Sequence, residues 1–250
     1  LPGSRQLRLW GTMSSDPPST IPLLLAVHDP ALYAAHALAD ALARRGVSIG
    51  GRAVARHRFA NEEAPAEARG VVLARRTSPP LIEALRVIDK VSQNLHAEMV
   101  LREVARIRRG KGSREAGLEE MRAFLTEVGV GAHEYDFADG SGLSRLGLVT
   151  PGALCKLLRY MYDSPHRETW LSLLPLGGED GTLSTRFNGR RDARRIRAKT
   201  GSLTHVATLA GYAESKTRGM VAFAILANNF NAPGSEIRAV IDRIALMLTE

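Results

Sequence analysis

Several features are scarce in this 250-residue sequence, and each scarcity excludes a class of protein. A single cysteine, Cys155, excludes an internal disulfide framework. No run of 18 or more apolar residues occurs, so the sequence contains no transmembrane helix. Aromatic residues make up only 5%, and no recognised nucleic-acid-binding motif is present. We therefore do not expect a nucleic-acid partner.

The usual sequence motifs of metal- and cofactor-binding sites are also missing. The seven histidines show neither the His-x-x-x-His spacing nor the Cys/His spacing of metal ligands. There is no P-loop and no dinucleotide-binding glycine pattern. The sequence predicts no metal site and no cofactor.

The sequence is basic, with 34 lysines and arginines against 26 acidic residues and a net charge of +8. Arginine carries most of this charge, because only five of the basic residues are lysines. Local basic runs occur at 106–111 and 190–197. They fit either an anionic partner, such as the carboxylate-rich cell wall, or simply solvated faces.

The pattern of apolar residues predicts an α+β domain. Asp29-Pro30 begins a helix, weak strands follow over 47–57 and 70–75, and a longer helical stretch, 79–109, is broken at Ser92-Gln93-Asn94. Three consecutive strands, predicted at 194–203, 206–213 and 220–228, are antiparallel neighbours. The third is almost continuously apolar, which is typical of a strand buried on both faces. A helix over 235–248 completes the layered arrangement.

Two short motifs lie at defined places in these elements. Ser92-x-Asn94 is at the corner between two helices, and Lys199-Thr200-Gly201 is on the first of the three strands. Alone, each has an ordinary explanation. Ser92 and Asn94 would be helix caps, and Lys199 would belong to a solvated basic row.

The order of the motifs resembles the serine penicillin-recognising enzymes, whose motif set is Ser-x-x-Lys, Ser-x-Asn and Lys-Thr-Gly. The flank Leu95-x-Ala97-Glu98, the glycine loop 139–145, and Gly178-x-Asp180-Gly-Thr-Leu183 are similar to one branch, the class C low-molecular-mass penicillin-binding proteins. These are D-alanyl-D-alanine carboxypeptidases and endopeptidases. The resemblance implies a penicillin-binding-protein/β-lactamase-like transpeptidase fold, with a helical subdomain and an antiparallel sheet covered by helices. It also implies a periplasmic or other extracytoplasmic location, peptidoglycan stem peptides ending in D-Ala-D-Ala as substrates, and β-lactams as inhibitors.

The sequence departs from this family in one respect, because no serine is followed three residues later by lysine. In the family that motif precedes an inserted accessory region. We therefore expect the N-terminal part of the catalytic domain to be missing, and to be a partner of this segment. On this interpretation, residues 1–28 end the accessory region, residues 29–250 are the C-terminal part of the catalytic domain, and the 250 residues alone are inactive.

By resemblance, three residues have catalytic roles. Ser92 would relay a proton toward the departing D-alanine. Asn94 would hold the substrate backbone through its amide. Lys199 would supply a positive charge that favours the substrate's terminal carboxylate and the developing oxyanion.

The remaining site residues would bind substrate. The hydroxyls of Thr200 and Ser202 would bind the terminal carboxylate, with Gly201 between them, and the Ser202 backbone N–H would form one arm of the oxyanion hole. Arg145 would meet an acidic group of the stem peptide. Alternatively, Arg145 satisfies carbonyl groups of nearby loops.

Two other functions remain open at this stage. The first is a non-catalytic cell-wall peptide-binding protein of the same fold. The second, a basic nucleic-acid-binding protein, is disfavoured by the low aromatic content.

Overall fold

The computed structural model describes residues 10–12, 15, 25–57, 62 and 71–250. The chain forms two compact units, Leu1–Arg75 and Arg76–Glu250. The predicted boundary between residues 28 and 29 falls inside the first unit and stays a prediction. Most of the predicted accessory segment, 1–28, lies outside the described residues.

In the first unit, helix α1 covers Pro30–Ala43. Its beginning was predicted correctly, because the Asp29 side chain accepts a hydrogen bond from the Leu32 backbone N–H at 3.0 Å. The predicted weak strands are wrong, since residues 47–57 and 71–75 contain no strand. Adjacent glycines, Gly50 and Gly51, interrupt the first of these segments and weaken it as a strand.

The second unit contains all the other helices, and both sheets, that the described residues form. Its α-helices are α2 (Leu81–Val91), α3 (Asn94–Arg109), α4 (Arg114–Glu127), α5 (Pro151–Asp163), α6 (Arg167–Leu173) and α7 (Gly234–Met247). Short 3-10 helices cover Ala132–Glu134, Gly181–Leu183, Phe187–Gly189 and Arg191–Arg195. A two-stranded sheet pairs β1 (Tyr135–Asp136) with β2 (Leu148–Val149). No described helix is long and apolar enough to cross a bilayer.

The main sheet is antiparallel, with β4 (Val206–Ser215) between β3 (Ile196–Leu203) and β5 (Gly219–Asn228). The three strands and their order were predicted correctly. The prediction that β5 is buried on both faces is wrong, because only Phe223 within it is buried. In the described sheet β5 pairs on one side only, and a strand at an edge keeps part of its surface accessible.

Helices cover both faces of this sheet. On one face, α7 supplies Ile241 and Ala245 to a core that includes Leu209 and Phe223. On the other, Tyr212 packs among residues of α5 and the α6 segment. The indole N–H of Trp170 donates to the Tyr212 hydroxyl at 2.9 Å, so this face also contains a satisfied polar contact. The predicted α+β architecture, an antiparallel sheet covered by helices, is confirmed.

Candidate active site

The two predicted motifs meet in space although they are 107 residues apart in sequence. The Lys199 ammonium donates a hydrogen bond to the Ser92 hydroxyl at 2.8 Å, and a second to the Thr200 carbonyl at 2.8 Å. Ser92 ends α2 in the left-handed conformation, with φ 59°. Gln93, not Ser92, caps α3, because its side chain accepts from the His96 N–H. The Ser92 hydroxyl therefore contacts the lysine and does not cap the helix.

The position of Lys199 follows from the alternation of strand β3. Ile196 and Ala198 point into the core and are fully buried, which turns Lys199 to the opposite face. Lys199 is half-buried there, so it is not a member of a fully solvated basic row. Gly201 lies next to β4, where a Cβ atom would come within 2.4 Å of the Thr208 hydroxyl oxygen. A larger residue at 201 would force the two strands or Thr208 to move.

A carboxyl group one helical turn before Ser92 affects the charge of the lysine. Burial raises the pKa of Asp89 to about 6, although the positive charges of Lys199 and Lys90 oppose this rise. Burial also lowers the pKa of Lys199, and the negative charge of Asp89 opposes that change. Each group therefore favours the charged form of the other. An ammonium in this environment releases a proton more readily than an exposed lysine.

The turn at 180–183 connects the end of α2 with β3. The Lys90 ammonium donates to the Asp180 carboxylate at 2.6 Å and to the Leu174 carbonyl at 2.7 Å. Further along the turn, the Thr200 hydroxyl donates to the Thr182 hydroxyl at 2.8 Å. Lys90, two residues before Ser92, and Thr200, which follows Lys199, are thus both hydrogen-bonded to this turn.

Two carboxylates order the glycine loop, and one of them, Glu98, holds it against α3. One Glu98 oxygen accepts from the backbone N–H groups of 140–141 at 2.8 and 3.0 Å. Asp139 accepts from the N–H groups of residues 142 and 144, both at 2.7 Å. Because Glu98 lies one turn after Asn94 on the same helix, the loop is fixed relative to the Ser-x-Asn motif.

The predicted substrate-binding residues form a second group. Arg145, Gly201 and Ser202 line a cavity of about 390 Å³ beside the turn between β3 and β4. The Arg145 guanidinium donates to the Thr204 carbonyl at 3.1 Å, as the alternative interpretation of this residue predicts. Asn94 is the first residue of α3, and within the described residues its side chain hydrogen-bonds none of the other predicted site residues. Its role stays a prediction.

Sequence reasoning missed four residues around the lysine: Asp89, Lys90, Asp180 and Thr182. The position of Asp89 three residues before Ser92, one helical turn away, was a usable signal. Asp180 and Thr182 belong to the recognised glycine-rich stretch but had no assigned role. The partner of Asp180 lies 90 residues away in sequence and that of Thr182 lies 18 residues away, so no local pattern reveals either contact.

The comparisons with known proteins agree on one family. The model of the D-Ala-D-Ala carboxypeptidase 3 (S13) family matches residues 2–249. A D-alanyl-D-alanine carboxypeptidase of Actinomadura sp. (strain R39) is 33% identical over 254 residues, covering 99% of this chain and 45% of the relative. Carboxypeptidase DacB of Mycolicibacterium smegmatis is 34% identical over 185 residues, covering 72% of this chain and 40% of the relative.

Solved structures agree with these relatives. Penicillin-binding protein 4 of Haemophilus influenzae, crystallised with a β-lactam, superposes with a TM-score of 0.77 at 28% identity. The match covers 90% of this chain and 51% of that protein. A class A β-lactamase of Bacteroides cellulosilyticus, 17% identical with a TM-score of 0.53, shares the fold. The chain thus spans less than half the length of the curated relatives named above.

Proposed function

The chain belongs to the D-Ala-D-Ala carboxypeptidase 3 (S13) family, and on that basis we propose that it contributes to a serine-type D-alanyl-D-alanine carboxypeptidase or endopeptidase. The substrates are peptidoglycan stem peptides ending in D-Ala-D-Ala, and the reaction passes through an acyl-enzyme. Because peptidoglycan lies outside the cytoplasmic membrane, the proposal places the protein in the periplasm or another extracytoplasmic space.

The hydrogen bond between Lys199 and Ser92 is the observation that carries this proposal. A hydroxyl both donates and accepts, so Ser92 can pass a proton to a leaving amine while Lys199 replaces that proton or stabilises the oxygen. The nearby Asp89 keeps positive charge on a half-buried lysine. That charge attracts the terminal carboxylate of a peptide and stabilises an oxyanion as it develops.

The neighbouring cavity is lined by further residues that would bind the substrate. The Ser202 hydroxyl and backbone would bind the terminal carboxylate and the oxyanion, close to Thr200 and Gly201. Arg145 would exchange the Thr204 carbonyl for an acidic group of the stem peptide, since a guanidinium binds a carboxylate more strongly than a neutral oxygen. Asn94 would hold the peptide backbone. β-Lactams would acylate the same site.

These 250 residues contain no Ser-x-x-Lys, so the nucleophile would come from another part of the protein. We propose that a helix of the same protein, carrying this motif, packs into the groove between α2, α3 and α4. The groove measures about 570 Å³ and has an apolar lining that includes Leu85, Ile88 and Val100. Asp89 also lines it, so the groove extends to the neighbourhood of Lys199. A nucleophile on such a helix would lie near the Ser92–Lys199 contact.

Covalent labelling of the full-length protein tests the proposal. The wild type should form a stable penicilloyl adduct, detected by fluorescent penicillin on a denaturing gel and by intact mass. We expect Ser92→Ala and Lys199→Ala each to slow acylation by about 10²- to 10⁴-fold, the range for losing a proton-transfer group or an electrostatic stabiliser.

Matched substitutions separate the site from general damage. Ser172→Ala and Lys216→Ala change exposed residues of the same types outside the site and should leave acylation unchanged. If the wild type forms no adduct but still binds stem peptides, the enzymatic proposal is contradicted and the protein is a non-catalytic cell-wall binder. The 250 residues alone should give no adduct, because they lack the nucleophile motif.

A further inference from the structure

The ion pair between Lys90 and Asp180 joins the end of α2 to the turn at 180–183. Lys90 is two residues before Ser92 in the last turn of α2, and only 15% of its side chain is exposed. Its ammonium makes the 2.6 Å contact with Asp180 and the 2.7 Å contact with the Leu174 carbonyl. Two acceptors at fixed positions define the direction of the ammonium, and therefore the placement of the helix end.

Asp180 also bonds the segment that precedes the turn. Its second carboxylate oxygen accepts from the Leu176 backbone N–H at 2.8 Å. Residues 175–177 in turn bond β3, through the Ala198 N–H to the Pro175 carbonyl at 3.0 Å and the Gly177 N–H to the Ile196 carbonyl at 2.9 Å. A single carboxylate thus connects the end of α2 to the backbone next to Lys199.

The turn is also in direct backbone contact with the helix. Gly181 has φ +55°, and a Cβ atom there would lie 2.4 Å from the Lys90 carbonyl oxygen. One residue later, Thr182 receives the hydrogen bond from Thr200. The turn therefore fills the space between the Ser-x-Asn corner and the Lys-Thr-Gly strand.

From these contacts we infer that Lys90 and Asp180 are positioning residues, which act by holding the Ser92 hydroxyl at hydrogen-bonding distance from the Lys199 ammonium. The hydrogen bonds of these two side chains go to each other and to the backbone of residues 174 and 176, not to Ser92 or Lys199. The inference rests on the proposed function, because the contact they fix is the one to which that function assigns proton transfer. Misplacing a catalytic group by about 1 Å slows a reaction by about 10²-fold, so the pair has a measurable effect on rate.

The chain offers a matched control in the pair between Arg186 and Asp242. Its atoms are also 2.6 Å apart, and its side chains, 11% and 14% exposed, are more buried than those of Lys90 and Asp180, at 15% and 43%. Asp242 accepts from the Phe187 backbone N–H as well, so this pair also links a turn to a helix. It belongs to the opposite, α7-covered part of the second unit and contacts neither Ser92 nor Lys199.

The test compares Lys90→Met and Asp180→Asn with Arg186→Met and Asp242→Asn in the full-length protein. The first two should lower the rate of penicillin acylation by about 10- to 100-fold with little change in the noncovalent binding step. The control pair should lower thermal stability similarly and leave the acylation rate unchanged. Lys90→Arg, which retains a charged donor, should recover part of the rate. Equal rate losses in both pairs would overturn the inference.

A crystal structure of the Lys90→Met variant separates this inference from the proposed function. The distance between the Ser92 hydroxyl and the Lys199 nitrogen should increase beyond about 3.5 Å, the limit of a direct hydrogen bond. An unchanged distance overturns the positioning role even if the wild type is acylated. An increased distance supports it even if the wild type forms no adduct and the enzymatic proposal fails.

Discussion

Replacing Asp89 by asparagine should remove a specific pH dependence of stability. An unfolded aspartate has a pKa near the ordinary 3.8, whereas burial raises the pKa of Asp89 to about 6 in the folded chain. The folded state therefore binds this proton more tightly than the unfolded state. The resulting stability is fully present below pH 3.8 and is lost as the pH rises through about 6. A tenfold change in proton affinity is about 1.4 kcal/mol, so the loss amounts to about 3 kcal/mol.

Asparagine is uncharged throughout this range and lacks the effect. The free energy of unfolding of Asp89→Asn, minus that of the wild type, should therefore increase by up to about 3 kcal/mol between pH 4 and pH 7.5. Urea denaturation at several pH values, followed by tryptophan fluorescence, measures this difference. Asp163→Asn is the control for the same substitution at an exposed position. A difference that stays constant within about 0.5 kcal/mol would refute the assignment of a buried, charge-coupled carboxyl group.

Two further substitutions test how the site is supported. Gly181→Ala should destabilise the protein by about 1–3 kcal/mol, because it strains a left-handed residue and places a methyl group against the Lys90 carbonyl. Gly189→Ala, also left-handed but with no atom within 4 Å of the added Cβ, is its control in thermal denaturation. Glu98→Ala should release the N–H groups of 140–141 and increase their amide hydrogen exchange by about tenfold. Glu98→Gln retains an acceptor and should exchange more slowly than the alanine variant. Exchange unaffected by Glu98→Ala would contradict the anchoring role.

The elements that the sequence predicted well are those whose signals are local. The corner at Ser92-Gln93-Asn94 was predicted because polar residues with capping side chains interrupt a helical apolar pattern. The three strands followed from short turns between apolar segments. Burial of β5 was predicted wrongly because an apolar run gives the composition of a strand but not its position in the sheet. Whether a strand is central or at an edge depends on which strands pair with it.

The sequence by itself determined the α+β architecture, the family, and the motif residues Ser92 and Lys199. Only the tertiary structure decided that these two side chains touch, that Gln93 is the helix cap, and that Asp89 has an altered pKa. It also identified the pair of Lys90 and Asp180, which are 90 residues apart in sequence. Local patterns arise from the backbone conformation of neighbouring residues, whereas distances and proton affinities at the site arise from packing between distant segments and from the exclusion of water there.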